Sequence, residues 1–289
     1  MLKINNERKA LLYCRDLDIN EIISLLGSSN SYIRNAAIIR LQLEIYTDHK
    51  LVINMIQLCS SGNYRLRTSG VSVLGCFENL SAESLEIIIN ILSCFALHDS
   101  SREVRISAIY SFGYRYSIDR RYHPFIISIL KKTANDDNNL IRLATVHALQ
   151  NVRDKSAIPI AEKLLRDDNK DVRNWAAFSL QLTGLDSDEI RNGLVAMLKD
   201  ECDEARYEAI YALTTFRDRR VLPALQQELQ KETIILKMLE AAGDLGDAEL
   251  LPYLKNIVND FKGSADEGER IAIKQFRRLQ RKVQRQMKQ

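Results

Sequence analysis

Six arginines recur along the chain at intervals that could organise either ion pairing or anion binding. Intervals of 33, 38, 37, 31 and 33 residues separate Arg34, Arg67, Arg105, Arg142, Arg173 and Arg206. Six residues before each arginine stands a serine or an aspartate, in the series Ser28, Ser61, Asp99, Asp136, Asp167 and Asp200. A guanidinium is a rigid fork of donors that fits a carboxylate. This register therefore predicts a structural ladder in which arginines bind aspartates of adjacent repeats. The alternatives are that the aspartates cap helices, and that the arginines form an anion-binding row.

The arginines lie in similar segments that must be positioned by helices. Examples are NSYIRNAAIIRL (30–41), SREVRISAIYSF (101–112) and NKDVRNWAAFSL (169–180). Each segment has an aliphatic residue before the arginine, a small residue three places after it, and a large apolar residue four places further on. A period of 31–38 residues accommodates two helices of ~10–14 residues and their turns. Prolines 124, 159, 223 and 252 stand near the starts of the preceding apolar segments, where a helix tolerates proline.

The pattern D-x-x-x-x-[V/I]-R-x-x-A, as in Asp167 to Ala176 and Asp99 to Ala108, resembles the HEAT-repeat family. It is most similar to the short bacterial HEAT-like repeats also found in phycobilisome lyases. The resemblance covers about residues 18–258. It implies an all-α, right-handed α-solenoid of about seven helical pairs over residues 1–260, closed by a C-terminal helix in 261–289. It is specific for fold, not function, because such arrays serve many unrelated tasks.

Large aromatic side chains interrupt the second helices, which line the concave surface of such a solenoid. The position five residues after the arginine holds Tyr110, His147, Phe178 and Tyr211 in four consecutive repeats. Stacked repeats would align them into a stripe that binds a protein partner, since rigid rings give contact area at low entropic cost. The full predicted groove set is Tyr110, His147, Asn174, Trp175, Phe178, Tyr207 and Tyr211. The alternative is that the rings fill gaps between neighbouring helices, and the place of Trp175 beside the small position favours that for this residue.

The last segment differs from the rest in charge. Residues 266–289 contain eight Lys or Arg and three acidic residues, a local charge of +5 within a chain of net charge +3. Ile273, Phe276, Leu279, Val283 and Met287 follow helical spacing, which predicts an amphipathic basic helix after a short hinge in 261–270. This helix could cap the last repeat or lie on an acidic membrane or protein surface. It could also contact nucleic-acid phosphates through Arg277, Arg278, Arg281, Lys282 and Arg285.

Several loops also carry positive charge. The cations are Arg115, Arg120, Arg121, Arg153, Lys155, Arg217, Arg219 and Arg220. Aspartates accompany each group, at Asp119, Asp154 and Asp218, so solvated loop ends are the simplest interpretation and a basic ridge is the alternative.

Motifs of catalysis are missing from the sequence. HExxH, GxGxxG, GxxxxGK[ST] and GxSxG do not occur, and the four histidines stand in separate repeats without a metal-ligand pattern. HEAT-like di-iron enzymes use His-Glu pairs, which this chain lacks, and HEAT-like DNA glycosylases use a groove aspartate that its predicted inward positions do not offer. Five cysteines without CxxC indicate reduced thiols. The first residues, MLKINNERKALLYCRD, lack a continuous apolar core, so we expect no signal peptide. No apolar run approaches about 18–20 residues, so no transmembrane helix is expected.

These features predict a non-catalytic cytoplasmic scaffold without cofactor or metal. It would be an adaptor, or an inhibitor or immunity-type protein, that holds a protein partner in its concave groove. A nucleic-acid-binding protein that uses the basic loops and C-terminal helix is the alternative, with a HEAT-like DNA glycosylase behind it. No small-molecule substrate and no membrane span are expected.

Overall fold

The computed structural model describes residues 4–44, 49–77, 81–113, 120–260 and 267–286. Within these ranges all regular structure is helical, which confirms the all-α prediction. The helices are α1 (Glu7–Arg15), α2 (Ile19–Leu25), α3 (Ser31–Glu44), α4 (His49–Cys59), α5 (Tyr64–Leu74), α6 (Ala82–His98), α7 (Arg102–Ser111), α8 (His123–Thr133), α9 (Asn139–Leu149), α10 (Ile158–Leu164), α11 (Lys170–Thr183), α12 (Asp188–Met197), α13 (Asp203–Thr215), α14 (Leu222–Glu228), α15 (Leu236–Leu245), α16 (Leu251–Asp260) and α17 (Glu267–Gln286).

The chain divides into two compact units, Met1–Val152 (unit 1) and Arg153–Gln289 (unit 2). In unit 1 the pairs α2/α3, α4/α5, α6/α7 and α8/α9 pack internally, and each second helix packs on the next. In unit 2 the pairs α10/α11, α12/α13 and α14/α15 repeat this arrangement, and α17 packs on α15 and α16. Each unit is thus a stack of helical pairs, as the predicted α-solenoid requires. Most of the predicted hinge (261–266) lies outside the described residues, and the domain boundary at residue 260 stays a prediction.

The second helices α5, α7, α9, α11 and α13 begin after a polar turn that the sequence pattern encodes. In the turn before α11 the Asp167 carboxylate accepts a hydrogen bond from the Asn169 amide (3.0 Å). The Asn169 side chain in turn accepts from the amides of Asp171 (3.0 Å) and Val172 (3.2 Å). Asparagine is therefore the N-cap, and the alternative that the aspartates cap these helices is wrong. The aspartate instead fixes the turn two residues earlier.

The ladder predicted from the arginine spacing is present at Arg67, Arg105 and Arg173, whereas Arg206 pairs with Asp203 of its own repeat. Arg67 donates to the Asp99 carboxylate through Nε (2.8 Å) and Nη2 (2.9 Å), and Arg173 does the same to Asp200 (2.6 and 2.8 Å). The remaining Nη1 of each arginine donates to a backbone carbonyl six residues earlier, for example that of Asp167 (2.8 Å). Both pairs are largely buried. Since the guanidinium donors are engaged internally, these arginines hold repeats together and do not form an anion-binding row.

The small position of the repeat lies in the core. All seven residues at this position are buried, namely Ala37, Gly70, Ala108, Thr145, Ala176, Ala209 and Ala241. Their short side chains allow the two helices of a pair to approach closely, as native packing density requires. The position two places further along each second helix is more accessible: Tyr110 is exposed there, and His147, Phe178 and Tyr211 are half-buried.

Candidate functional site: a groove on the second helices and a basic helix

Unit 1 contains a groove of about 860 Å³ on the second helices α3, α5, α7 and α9. Its floor is made of small residues such as Ser111 and Ala148, and its sides include Tyr110, His147 and Ile106. The depth of the groove depends on a close approach between α5 and α7. A Cβ added at Gly75, the C-cap of α5, would lie 2.5 Å from Ser111 Cβ and 3.1 Å from Ser111 Cα.

The groove lining is largely apolar surface with several uncharged polar groups and little charge. The hydroxyls of Ser72 and Ser107 lie 2.6 Å apart, and Gln42 Nε2 donates to the Ser72 carbonyl (3.3 Å). Among the lining residues Glu103 carries the one carboxylate. Bonds from its own backbone amide and from the Ser101 hydroxyl lower the pKa of Glu103. The lining therefore offers hydrogen bonds to backbone and side-chain groups of a ligand without selecting strongly for charge.

Tyr110 and His147 form a ring pair beside this lining. Their centroids are 6.0 Å apart with an interplanar angle of 46°. Tyr110 is 44% exposed, and His147 is half-buried. Burial raises the pKa of Tyr110 and lowers the pKa of His147, so both rings are uncharged at neutral pH. They present ring faces with polar atoms at the ring edges, namely one hydroxyl on Tyr110 and two nitrogens on His147, and such amphipathic rings suit a binding hot spot.

In unit 2 a second ring pair occupies α11. Trp175 and Phe178 lie edge to face with centroids 5.4 Å apart, and Trp175 is 37% exposed. The neighbouring Asn174 is half-buried. Its buried Oδ1 has no hydrogen-bond partner among the described residues. An acceptor left in this state favours a ligand that supplies a donor, because an unmade buried hydrogen bond costs free energy.

Lysines cover the remaining predicted rings of unit 2. Lys237 Nζ lies 4.9 Å from the Tyr211 centroid and 5.7 Å from that of Phe178, and it pairs with Glu208 (2.5 Å). Lys231 Nζ lies 5.8 Å from the Tyr207 centroid. These cation–π contacts leave the three rings half-buried. The sequence analysis did not single out Lys237 or Glu208. Glu208 lies outside the positions that the repeats share, and Lys237 directly precedes Met238, which holds the place of the repeat arginine.

Helix α17 is fixed to the end of α15 by two of its cations. Lys282 Nζ donates to the carbonyls of Gly243 (3.0 Å) and Asp244 (2.8 Å), which lie in the last turn of α15 and lack intrahelical partners. Arg278 forms an ion pair with Asp244. Desolvation by burial lowers the pKa of Lys282. Arg278 and Lys282 therefore hold the helix in place.

The apolar side of α17 packs into unit 2, as the capping interpretation requires. Ala272 and Leu279 are fully buried, whereas Ile273, Phe276 and Val283 are half-buried, and Met287 lies outside the described residues. Gln275 is also buried, and its Cδ would meet a Cβ added at Gly243 at 2.9 Å. A glycine in α15 thus makes room for α17. The other predicted cations, Arg277, Arg281 and Arg285, are exposed, together with Lys274, which the sequence analysis did not single out.

No described helix is long and apolar enough to cross a membrane. No cluster of three or more His, Cys, Asp or Glu side chains in the described ranges could hold a metal ion. Cys59 is buried, and desolvation raises its pKa to about 12, which makes its thiol a poor nucleophile.

Comparison with known proteins agrees with this architecture. The family model of HEAT repeats matches residues 89–181, and that of the PBS lyase HEAT-like repeat matches residues 205–231. The fold and these matches define a HEAT-repeat protein. Protein YibA of Escherichia coli K12 is 38% identical over 248 residues, which cover 86% of this chain and 88% of YibA. The chain belongs to the family of HEAT-repeat proteins that includes YibA.

Solved structures give the same result. The X-ray structure of E. coli YibA superposes with a TM-score of 0.82 at 35% identity, covering 96% of this chain and 99% of that one. Importin beta has a TM-score of 0.56 at 12% identity, over 94% of this chain and 48% of its own. An engineered protein has a TM-score of 0.55 at 14% identity, over 95% of this chain and 81% of its own. The last two likenesses concern the fold alone.

Proposed function

We propose that this chain is a non-catalytic cytoplasmic binding protein, an adaptor or an inhibitor of the immunity type, that holds a protein partner on its second helices. The observation that supports this most is the groove of unit 1, with about 860 Å³ of space beside an exposed tyrosine. In this proposal residues 1–260 form the binding array and residues 261–289 close it.

The chemistry of the groove suits a segment of a protein chain. Its size is at the upper end of the range of ligand pockets. An apolar side chain of the partner would lie against Tyr110 and His147, which need little ordering on binding. Backbone amides and carbonyls of the partner would meet the hydroxyls of Ser72 and Ser107 and the amide of Gln42. In unit 2 the exposed Trp175 is a second place for contact.

A matched pair of tyrosines tests this proposal. Tyr110 in the groove and Tyr13 on α1 are both 44% exposed, so replacing either with alanine removes a similar exposed surface. The tagged wild type, Tyr110→Ala and Tyr13→Ala are used to purify partners from native lysate treated with nuclease. The partner identified by mass spectrometry is then titrated against each purified protein.

We expect Tyr110→Ala to weaken binding by about 30-fold, because a hot-spot residue contributes about 2 kcal/mol or more. Tyr13→Ala should bind like the wild type, and both variants should keep the wild-type melting temperature within a few degrees. Equal affinity of all three proteins for the partner would refute the groove as its site. A large loss of melting temperature in Tyr110→Ala alone would show that the ring is part of the core.

A further inference from the structure

The outward face of α17 carries a regular row of cations. Lys274, Arg277, Arg281 and Arg285 are all exposed. Their spacing of three, four and four residues places them on one side of the helix. At 1.5 Å of rise per residue the row is about 17 Å long.

The row has no internal counter-charge within the described ranges. Residues 270–286 contain no aspartate or glutamate. No carboxylate of the described residues forms an ion pair with Lys274, Arg277, Arg281 or Arg285. Arg278 forms an ion pair with Asp244, and it is directed with Lys282 at the end of α15. The cations of α17 therefore lie on two faces: Arg278 and Lys282 on the face that docks on α15, and the row of Lys274, Arg277, Arg281 and Arg285 on the outer face.

A shallow depression of about 390 Å³ lies on this outer face, lined by Arg270, Ile273, Lys274, Arg277 and Arg281. Loop cations of unit 2 differ, because they are paired. Arg219 binds Asp247 (2.7 Å) and Glu249 (2.8 Å), and Arg220 binds Asp218 (2.5 Å). Arg115 lies outside the described residues. These two loop cations therefore add little net charge to the surface, whereas the cations of α17 lie together without carboxylates between them.

We infer that the outer face of α17 binds the phosphate backbone of a nucleic acid. Protein surfaces intersperse charges of both signs, whereas this row has one sign along its length and matches a polymer of uniform negative charge. The row contains no aromatic side chain on which bases could stack, so the contacts would be with phosphates and carry no sequence preference. Insertion into a membrane would need an apolar face, and that of α17 is packed against α15 and α16.

The number of cations sets the expected salt dependence. Four phosphate contacts on a duplex give a slope of about −3.6 for log K against log salt. Affinity should then fall roughly 150-fold between 50 and 200 mM salt. Removing the four charges should abolish most of this slope. The groove of unit 1 is not involved, so the test is independent of the proposed function.

The experiment uses the full chain and a fluorescent 20-base-pair DNA duplex of mixed sequence, titrated by anisotropy at 50, 100 and 200 mM NaCl. The outer-face variant changes four cations to glutamine: Lys274→Gln, Arg277→Gln, Arg281→Gln and Arg285→Gln. The control variant changes net charge equally at exposed lysines elsewhere in unit 2: Lys163→Gln, Lys170→Gln, Lys199→Gln and Lys255→Gln. Circular dichroism and melting temperature confirm that both variants fold.

We expect the wild type and the control to bind with a steep salt slope, and the outer-face variant to lose at least tenfold in affinity at 50 mM. Three results would overturn the inference. The wild type fails to bind the duplex at 50 mM, the control loses as much affinity as the outer-face variant, or the outer-face variant binds like the wild type. Tighter binding of poly-glutamate than of DNA of equal charge would assign the surface to an acidic protein instead.

Discussion

Replacing Gly75 with alanine perturbs the groove of unit 1 at its floor without changing its chemistry. Gly75 has φ −65° and ψ −9°, a conformation that alanine adopts readily, so any loss of stability comes from contact alone. The added methyl would lie 2.5 Å from Ser111 Cβ and 3.1 Å from Ser111 Cα. Since Ser111 Cα belongs to the backbone of α7, the clash cannot be relieved by a side-chain rotation, and α5 and α7 must move apart.

The expected magnitude follows from two opposed effects. Overpacking of a well-packed site costs about 1–3 kcal/mol. Replacing glycine at a compatible conformation stabilises by about 0.4–1 kcal/mol through the unfolded state. We therefore expect a net loss of about 1–2 kcal/mol. Gly62→Ala is the control, because no atom lies within 4 Å of a Cβ added there, and it should leave stability unchanged or slightly raised.

Urea denaturation measures the change in the free energy of unfolding, and hydrogen exchange of α5 and α7 shows where it acts. A second substitution, Ser111→Gly, removes the Cβ and hydroxyl that the new methyl would meet. The double variant should recover about 1 kcal/mol relative to the sum of the single changes. If Gly75→Ala costs no more than Gly62→Ala, or if Ser111→Gly gives no recovery, then the close approach of α5 and α7 does not determine the floor of the groove.

Three further predictions concern ionisable groups. Asp200→Ala should cost about 3–5 kcal/mol in urea denaturation, because it leaves the largely buried Arg173 without its carboxylate. The hydrogen bond from Arg173 lowers the pKa of Asp200. The wild type should therefore have a higher free energy of unfolding than Asp200→Asn, with the full difference above the unfolded pKa of aspartate and a smaller one as pH falls below it. A difference that does not change with pH would contradict the ladder. Burial lowers the pKa of His147, so the unfolded chain protonates this histidine more readily than the folded chain does. The free energy of unfolding should therefore fall as pH drops below about 6.5. His147→Gln should reduce this pH dependence, and an unchanged dependence in the variant would contradict the prediction. Lys282→Met should weaken the hold of α17 on α15 by about 1 kcal/mol, seen as faster exchange of α17 amides than in the wild type, with Lys274→Met as the control that leaves exchange unaltered.

The fold could be predicted because its determinants are local and repeat. A small residue three places after the repeat arginine identifies the helix face that enters the core. An aspartate six places before the same arginine identifies the residues that pair between repeats. Both signals survive variation between repeats because close helix approach and bidentate pairing admit few residue types. The capping role of asparagine was missed because Asn30, Asn63, Asn138 and Asn169 recur in four second helices only, and the aspartate register was the more regular one.

The site was less predictable because it depends on contacts between repeats. The sequence placed Phe178 and Tyr211 on the correct helices, but Lys237, one repeat after Tyr211 and two repeats after Phe178, lies over both rings. In α17 the apolar spacing indicated the docking face. Which neighbouring cations turn toward α15 depends on the angle at which the helix docks, and Arg278 and Lys282 carry the same charge as Arg277 and Arg281. Such rotations are set by packing, not by a sequence period.

The most direct test of the account is a hydrogen-exchange footprint of the purified complex between this chain and its protein partner. If the partner occupies the second-helix face, exchange should slow in α5, α7 and α9 of unit 1 and remain unchanged in their paired helices α4, α6 and α8. Protection confined to those first helices, or no protection in unit 1 at all, would contradict the claim that the groove beside Tyr110 and His147 is the binding site.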